Sequence, residues 1–119
     1  MTKRLPALLM TTVLLSSCGN KPDPVAVDPA HYKVAFENDR VRVLHAVIGP
    51  HEKTPRHYHP DSVVIVVAGD RGRDIFEDGK VGEPADNPPG AGWSQSGLHA
   101  VENVGEKPME RYIVEFKKR

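Results

Sequence analysis

The sequence predicts one small all-β domain, a sandwich or a closed barrel, behind an N-terminal targeting segment. Three observations carry this reading. From Tyr32 onward, short apolar runs follow one another closely, either alternating with the period of a strand or continuous in Val and Ile, and none keeps a helical period. Turn pairs such as Gly49-Pro50 and Asp78-Gly79 separate the runs. The chain has 119 residues, room for one domain, and so small a core gains from a sheet that closes on itself and removes its own edges.

The elements follow in chain order. Lys3 and Arg4 make a positive start, and residues 5–15 are largely apolar, with Leu8, Leu9, Met10, Val13 and Leu14. A membrane span needs roughly 20 such residues, so the run fits the central region of a signal peptide instead. Pro6 also spoils it as a long helix. Residues 1–17 are expected to be that signal. Residues 18–30 hold Pro22, Pro24 and Pro29 with Asp23 and Asp28 and read as a flexible tether. Residues 31–119 are the expected domain. Within it, Val41, Val43, His45 and Val47 alternate with Arg42, Leu44, Ala46 and Ile48, and Gly49-Pro50 ends the strand. Residues 62–68 (SVVIVVA) are continuously apolar after the serine, which predicts a strand covered on both faces. Asp78-Gly79 predicts a two-residue hairpin between Ile75-Phe76-Glu77 and Lys80-Val81. Residues 83–92 read as a loop, and residues 98–104 and 109–117 as the last strands. The count is roughly nine short strands, within the range of sandwiches and barrels.

Composition excludes one function class. Sixteen basic side chains balance sixteen acidic ones, leaving no basic excess to neutralise nucleic-acid phosphates. Gly90-Ala91-Gly92 lacks the setting of a phosphate loop, and Ser94 and Ser96 lack that of a nucleophile elbow.

The informative constellation is His57-Tyr58-His59. Residues i and i+2 of a strand share a face, so both imidazoles project together. His99, forty residues on, offers a third nitrogen. A close pair joined by a distant third ligand is a common way to build a metal site. Asp61 has the same parity and offers a carboxylate, although Pro60 interrupts the strand. Two histidines and a carboxylate suit iron; three histidines with an open position suit zinc. Asn103 shares the parity of His99 and is a candidate to order the site, while Glu102 points away. His45, His51 and His31 read as ordinary strand, loop and surface residues, Trp93 as core, and Tyr58 and Arg56 as flanking residues without a role at the site.

Two resemblances sharpen these readings. Leu15-Ser16-Ser17-Cys18-Gly19 resembles the lipobox of bacterial lipoproteins. That implies cleavage before Cys18, lipid on its sulfur and on the new amino terminus, and attachment to the cell envelope outside the cytosol. With Gly19 rather than aspartate after the cysteine, attachment is expected at the periplasmic face of the outer membrane in a Gram-negative cell. Cys18 is the single cysteine, so lipidation also removes an otherwise free thiol. Gly49, His57, His59 and Gly69, followed by Gly97, His99 and Asn103, resemble the two motifs of the cupin family. Residues 36–44 (FENDRVRVL) are similar to a phrase in small single-domain cupins, some labelled as β-alanine-degradation proteins. The resemblance implies a double-stranded β-helix, the cupin-type jelly-roll barrel. It also implies a divalent metal (iron, manganese, nickel, copper or zinc) inside it, a small-molecule ligand, and pairing into homodimers. Two departures are marked: the main one is Val63, which stands where the family carries a ligand glutamate, and Gln95 replaces the proline of the second motif. The expected function is therefore a membrane-anchored metal-binding barrel that acts on a small organic molecule, as an oxygenase, isomerase or lyase. The alternatives are a barrel that binds a small ligand without turnover and a degenerate one, free of metal, that serves interaction.

Overall fold

The computed structural model describes residues 21–119. Cys18 and residues 1–17, the expected signal, lie outside them. The described residues form one helical turn, α1 (Pro24–Val27), and nine strands in two antiparallel sheets. The five-stranded sheet runs β1 (Tyr32–Glu37), β2 (Val41–Ile48), β9 (Met109–Phe116), β4 (Ser62–Val66), β7 (Gly90–Ser94). The four-stranded sheet runs β3 (His57–His59), β8 (Gly97–Asn103), β5 (Asp70–Phe76), β6 (Ala85–Asn87). This is the expected double-stranded β-helix: apart from β1–β2 and β5–β6, neighbours in each sheet are distant in sequence, because the chain passes back and forth between the two sheets.

The centre of the larger sheet is set by β2 and β9, which pair without a break from Val41↔Phe116 to Ile48↔Met109. Their alternation aims Leu44, Ala46, Ile48, Met109 and Ile113 inward, where they are buried with Tyr32 and Val101. Burial of such side chains contributes roughly 1.5–3 kcal/mol each, the main favourable term in a domain of this size. Asn103 is also fully buried. Its side-chain amide donates to the Ile48 and Lys107 carbonyls at 3.0 and 2.8 Å, and its Oδ1 accepts from Gly105 N–H at 2.9 Å. It closes the β8–β9 loop and does not order the site as parity had suggested.

Four expectations are corrected here. Residues 62–68 are covered on one face only. Ser62 is buried, but Ile65 and Val67 are exposed, because their side chains leave the outer face of the sheet, over which no described element passes. Trp93, expected in the core, is 62% exposed on that same face and stacks on Phe116 with ring centroids 5.9 Å apart. The hairpin at Asp78-Gly79 has a three-residue loop: Gly79 takes φ 85°, Gly79 N–H bonds the Phe76 carbonyl, and Phe76 N–H bonds the Lys80 carbonyl. Its return limb is a single bridge, Ile75↔Val81. Residues 83–92 contain β6 and the start of β7. Their glycines and prolines read as loop, and they form strands because both lie at sheet edges, where such residues are tolerated.

Residues 21–30 of the expected tether are folded as well. Asp23 caps α1, accepting from the N–H groups of Val25 and Ala26 at 2.9 and 3.3 Å. Pro24 is buried, as is Asp28, and Val25 packs against the core cluster around Leu44. Prolines that suit an extended linker equally suit the first turn of a helix.

Candidate metal centre

The two closest histidines stand on β3, an edge strand of three residues, and point inward because both are flanked by outward residues. His99 sits on β8 directly opposite His57 in the antiparallel register. The three rings pack edge to face, with centroids 4.8 Å apart for His57–His59 and His57–His99 and 5.5 Å for His59–His99. One nitrogen from each lies within 4.8 Å of those of the other two. An ion held tetrahedrally by all three at about 2.1 Å places its donors about 3.4 Å apart, so the widest nitrogen pair must close by about 1 Å.

What turns three histidines into a ligand set is the use of the other nitrogens. His57 Nδ1 bonds the Pro55 carbonyl at 2.8 Å, His59 Nδ1 bonds Glu115 Oε1 at 2.8 Å, and His99 Nδ1 bonds Asp74 Oδ1 at 3.1 Å. Each partner is an acceptor, so in the neutral imidazole each Nδ1 is the protonated nitrogen and each Nε2 carries the lone pair. Metal-bound histidines are held in this way by a carbonyl or carboxylate on the far nitrogen. His99 Nε2 is buried with no hydrogen-bond partner, a cost that a bound ion would remove. His57 Nε2 accepts from the Tyr32 hydroxyl at 3.2 Å, so Tyr32 occupies that lone pair until something displaces it.

Electrostatics favour the same form. Burial is the main force on His57, with repulsion from His59 and His99 added; together they outweigh the Pro55 carbonyl and push its pKa down to about 4. It is therefore neutral and able to ligate at neutral pH. Burial would raise Glu115, but hydrogen bonds from His59 and Arg42 hold its carboxyl below the usual range. The hydrogen bond from His99 lowers Asp74 against the opposing effect of burial. Burial raises the Tyr32 phenol, which stays a donor.

A cavity of about 40 Å³ lies beside His59 and His99, walled mainly by Ile48, Val101, Met109 and Ile113. That is space for a few water-sized groups. Past His99, Ser94 and Arg111 it meets an open depression of about 420 Å³ edged by residues 88–93. Arg111 is fixed there by a bidentate pair with the fully buried carboxylate of Asp70, at 3.0 and 2.8 Å, and Asn87 donates to the same carboxylate at 2.8 Å.

The structure thus brings His57, His59 and His99 together and leaves Asp61 outside. Asp61 is exposed before β4, and its Oδ1 accepts from Ser96 N–H at 2.8 Å; Pro60 breaks the strand, and parity does not carry across it. Val63 faces the outer surface opposite Val114 and Trp93. His45 is on that face too, stacked on Tyr112. His51 pairs with Glu106, and His31, expected at the surface, is largely covered and bridges Asp28 and Glu52. Sequence reasoning missed Glu115, Asp74 and Tyr32. For Glu115 a signal existed: Met109, Arg111, Ile113 and Glu115 share one strand face, so a face with an apolar core role also carries two charges.

No protein-family model and no curated protein matches the sequence. Solved structures share its fold. A cupin domain from Bordetella pertussis superposes with a TM-score of 0.67 at 20% identity, covering 83% of this chain and 98% of that one. An RmlC-like cupin with a double-stranded β-helix from Methanocaldococcus jannaschii gives 0.57 at 18% identity, over 71% and 77% of the two chains. The polyketide cyclase RemF from Streptomyces resistomycificus gives 0.54 at 18% identity, over 75% and 65%. The fold is that of the cupin-domain proteins.

Proposed function

We propose that this chain binds a divalent metal ion through Nε2 of His57, His59 and His99 and takes a small organic molecule into the adjoining cavity. The observation that carries the reading is the convergence of three imidazole rings whose Nδ1 atoms are each held by an oxygen acceptor, leaving each Nε2 as the ligand atom. Imidazole donors suit zinc, iron, nickel and copper. Such an ion, when bound, supplies Lewis acidity toward an oxygen-bearing ligand. The chain's own residues do the rest. Glu115 and Asp74 orient two rings and offset positive charge from behind them. The apolar walls exclude water, and Ser62, Ser94 and Arg111 offer polar contacts to whatever enters.

On this reading the protein is a metal-dependent enzyme of the oxygenase, isomerase or lyase type. Capture without turnover is favoured by one observation: the cavity lining offers no carboxylate, so besides the histidines only the Tyr32 hydroxyl faces the ligand as a candidate general acid.

Two further parts belong to the proposal. Lipid on Cys18 holds the protein on a membrane; Cys18→Ser should move it to the soluble fraction, and unchanged membrane association would remove the anchor. The outer face of the five-stranded sheet pairs with a second copy. A full row of apolar residues (Phe36, Val43, Val114, Val63 and Trp93) crosses all five strands in register. Five strands about 4.8 Å apart and some 20 Å long give a footprint of roughly 500 Å², below the roughly 800 Å² per partner of a standard interface and in the range of a weaker pairing. Val43→Asp should give a monomer by light scattering; an unchanged mass, or a monomeric parent, would refute the pairing.

The metal reading is tested by elemental mass spectrometry on the full chain, purified without a polyhistidine tag, beside His57→Ala and His99→Ala. One ion per chain, lost in both variants, is expected. A metal-free protein that takes none up on titration would overturn it.

A further inference from the structure

We infer that residues 21–31 are a strap that positions the metal centre, with Asp23 acting on His59 through Arg42 and Glu115. The inference rests on the metal reading above and adds a part of the chain that no motif marks.

The need for a strap follows from β3. It carries two of the three histidines, yet it is three residues long, sits at a sheet edge and pairs with β8 on one side only. So short an edge strand has few backbone bonds to hold it. The N-terminal segment supplies what is missing. The Pro22 carbonyl accepts from Tyr58 N–H at 2.8 Å, on the free side of β3 and between the two ligands. Lys21 Nζ lies 4.6 Å from the centroid of the Tyr58 ring. The segment is pinned at both ends. Pro24 is buried and Val25 packs on the core; beyond them His31 binds Asp28 at 2.9 Å and Glu52 at 2.6 Å. Tyr32, where the strap becomes β1, reaches His57.

A chain of charge-assisted hydrogen bonds runs from this strap to the second ligand. Asp23 Oδ2 accepts from Arg42 Nη2 at 2.7 Å, Arg42 Nε donates to Glu115 Oε2 at 2.8 Å, and Glu115 Oε1 accepts from His59 Nδ1 at 2.8 Å. Bonds of this kind are roughly twice as strong as neutral ones and directional at a guanidinium. Arg42 is fixed by two carboxylates, so its grip on Glu115 is set by Asp23. His99 is oriented by Asp74 and has no link to the strap. Two ligands thus depend on the strap, and the third is independent of it. Asp23 and Arg42 are positioning residues: neither touches the ion or a ligand molecule.

Cobalt(II) titration of the full chain, followed by its visible absorption, tests the inference. Replacing the direct partner of a metal-bound histidine typically weakens binding about 10–100-fold, so Glu115→Gln should fall in that range. Asp23→Asn keeps an oxygen for the α1 cap but removes the charge facing Arg42, and acting one link farther out it should weaken binding about 3–10-fold. The double variant Asp23→Asn/Glu115→Gln should bind no more weakly than Glu115→Gln alone, whereas Asp23→Asn and Asp74→Asn should multiply. A second readout needs no ion: in metal-free protein the His59 Nδ1–H signal should exchange with solvent faster in Asp23→Asn, and the His99 signal should not change. An Asp23→Asn protein matching the parent in both readouts, or full multiplication with Glu115→Gln, overturns the strap. A parent that takes up no cobalt sinks the metal reading instead, and proton exchange then decides the strap by itself.

Discussion

Lowering the pH from about 7.5 to about 5 charges the histidines of the unfolded chain but not His57 in the folded one. The folded-state pKa of His57 is pushed down to about 4 from an ordinary value of 6.5, chiefly by burial. A depressed pKa contributes stability that is complete above the unfolded value and is lost as pH falls toward the folded one. The loss therefore spans pH 6.5 to 4 and comes from protons that the unfolded chain takes up first. His57 is fully buried, so solvent screening does not reduce the effect. Linkage gives about 2 kcal/mol lost by about pH 5 and about 3 kcal/mol by about pH 4. Groups that face it are His59 and His99, whose charge would add to the penalty, and Glu115, which opposes it. The carboxylates held low (Asp23, Asp74 and Glu115) lose their contributions only as pH falls further, through the ordinary carboxylate range. His31, raised by Glu52 and Asp28 against burial, acts with the opposite sign: its stabilisation is complete below 6.5 and is lost as pH rises. Urea unfolding of chelator-treated protein across this range, beside His57→Gln, isolates the term. The parent should lose about 2 kcal/mol more than the variant between about pH 7.5 and about pH 5. Equal pH dependence in the two proteins would refute the argument that His57 is held neutral by its surroundings.

Three further outcomes follow from the packing. Asp70→Ala leaves the partly buried Arg111 without its bidentate partner and should cost about 3 kcal/mol in urea unfolding; a change below about 1 kcal/mol would mean Arg111 finds water instead. Leu44→Ala, at a position with 0% exposure between β1 and β9, should cost about 2–5 kcal/mol, checked by the shift in unfolding midpoint at constant slope. Asp61→Ala should leave metal stoichiometry unchanged, measured by elemental mass spectrometry, because that carboxylate bonds Ser96 and stands apart from the histidines.

Much of this was legible in residue order, and the exceptions have physical causes. The all-β class, the alternation of β2 and the pairing of His57 with His59 all rest on the two-residue period of a strand, which is local. That His99 meets His57 depends on the β3–β8 register, which no local signal sets; the sequence marks His99 only as a distant third histidine within the second cupin-like motif. Asp61 failed because parity was carried across Pro60. The β4 run was read as doubly covered because a continuous Val/Ile stretch looks the same whether its second face meets protein or lies open. Residues 21–30 read as tether because prolines and aspartates suit a linker, an extended edge and a helix cap alike; only the fold shows Asp23 meeting Arg42. Glu115 escaped because a charged residue late in a strand usually marks an outward face, whereas here two partners make it tolerable inside.

The central claim is that three Nε2 atoms share one ion. A crystal of the full chain loaded with cobalt, measured at energies on either side of the cobalt absorption edge, tests it most directly. One anomalous peak bonded to Nε2 of His57, His59 and His99 is expected, with Tyr32 displaced from His57 and Asp61 untouched. A peak at the surface histidines alone, or a site using Nδ1 with the Glu115 and Asp74 bonds broken, would contradict it.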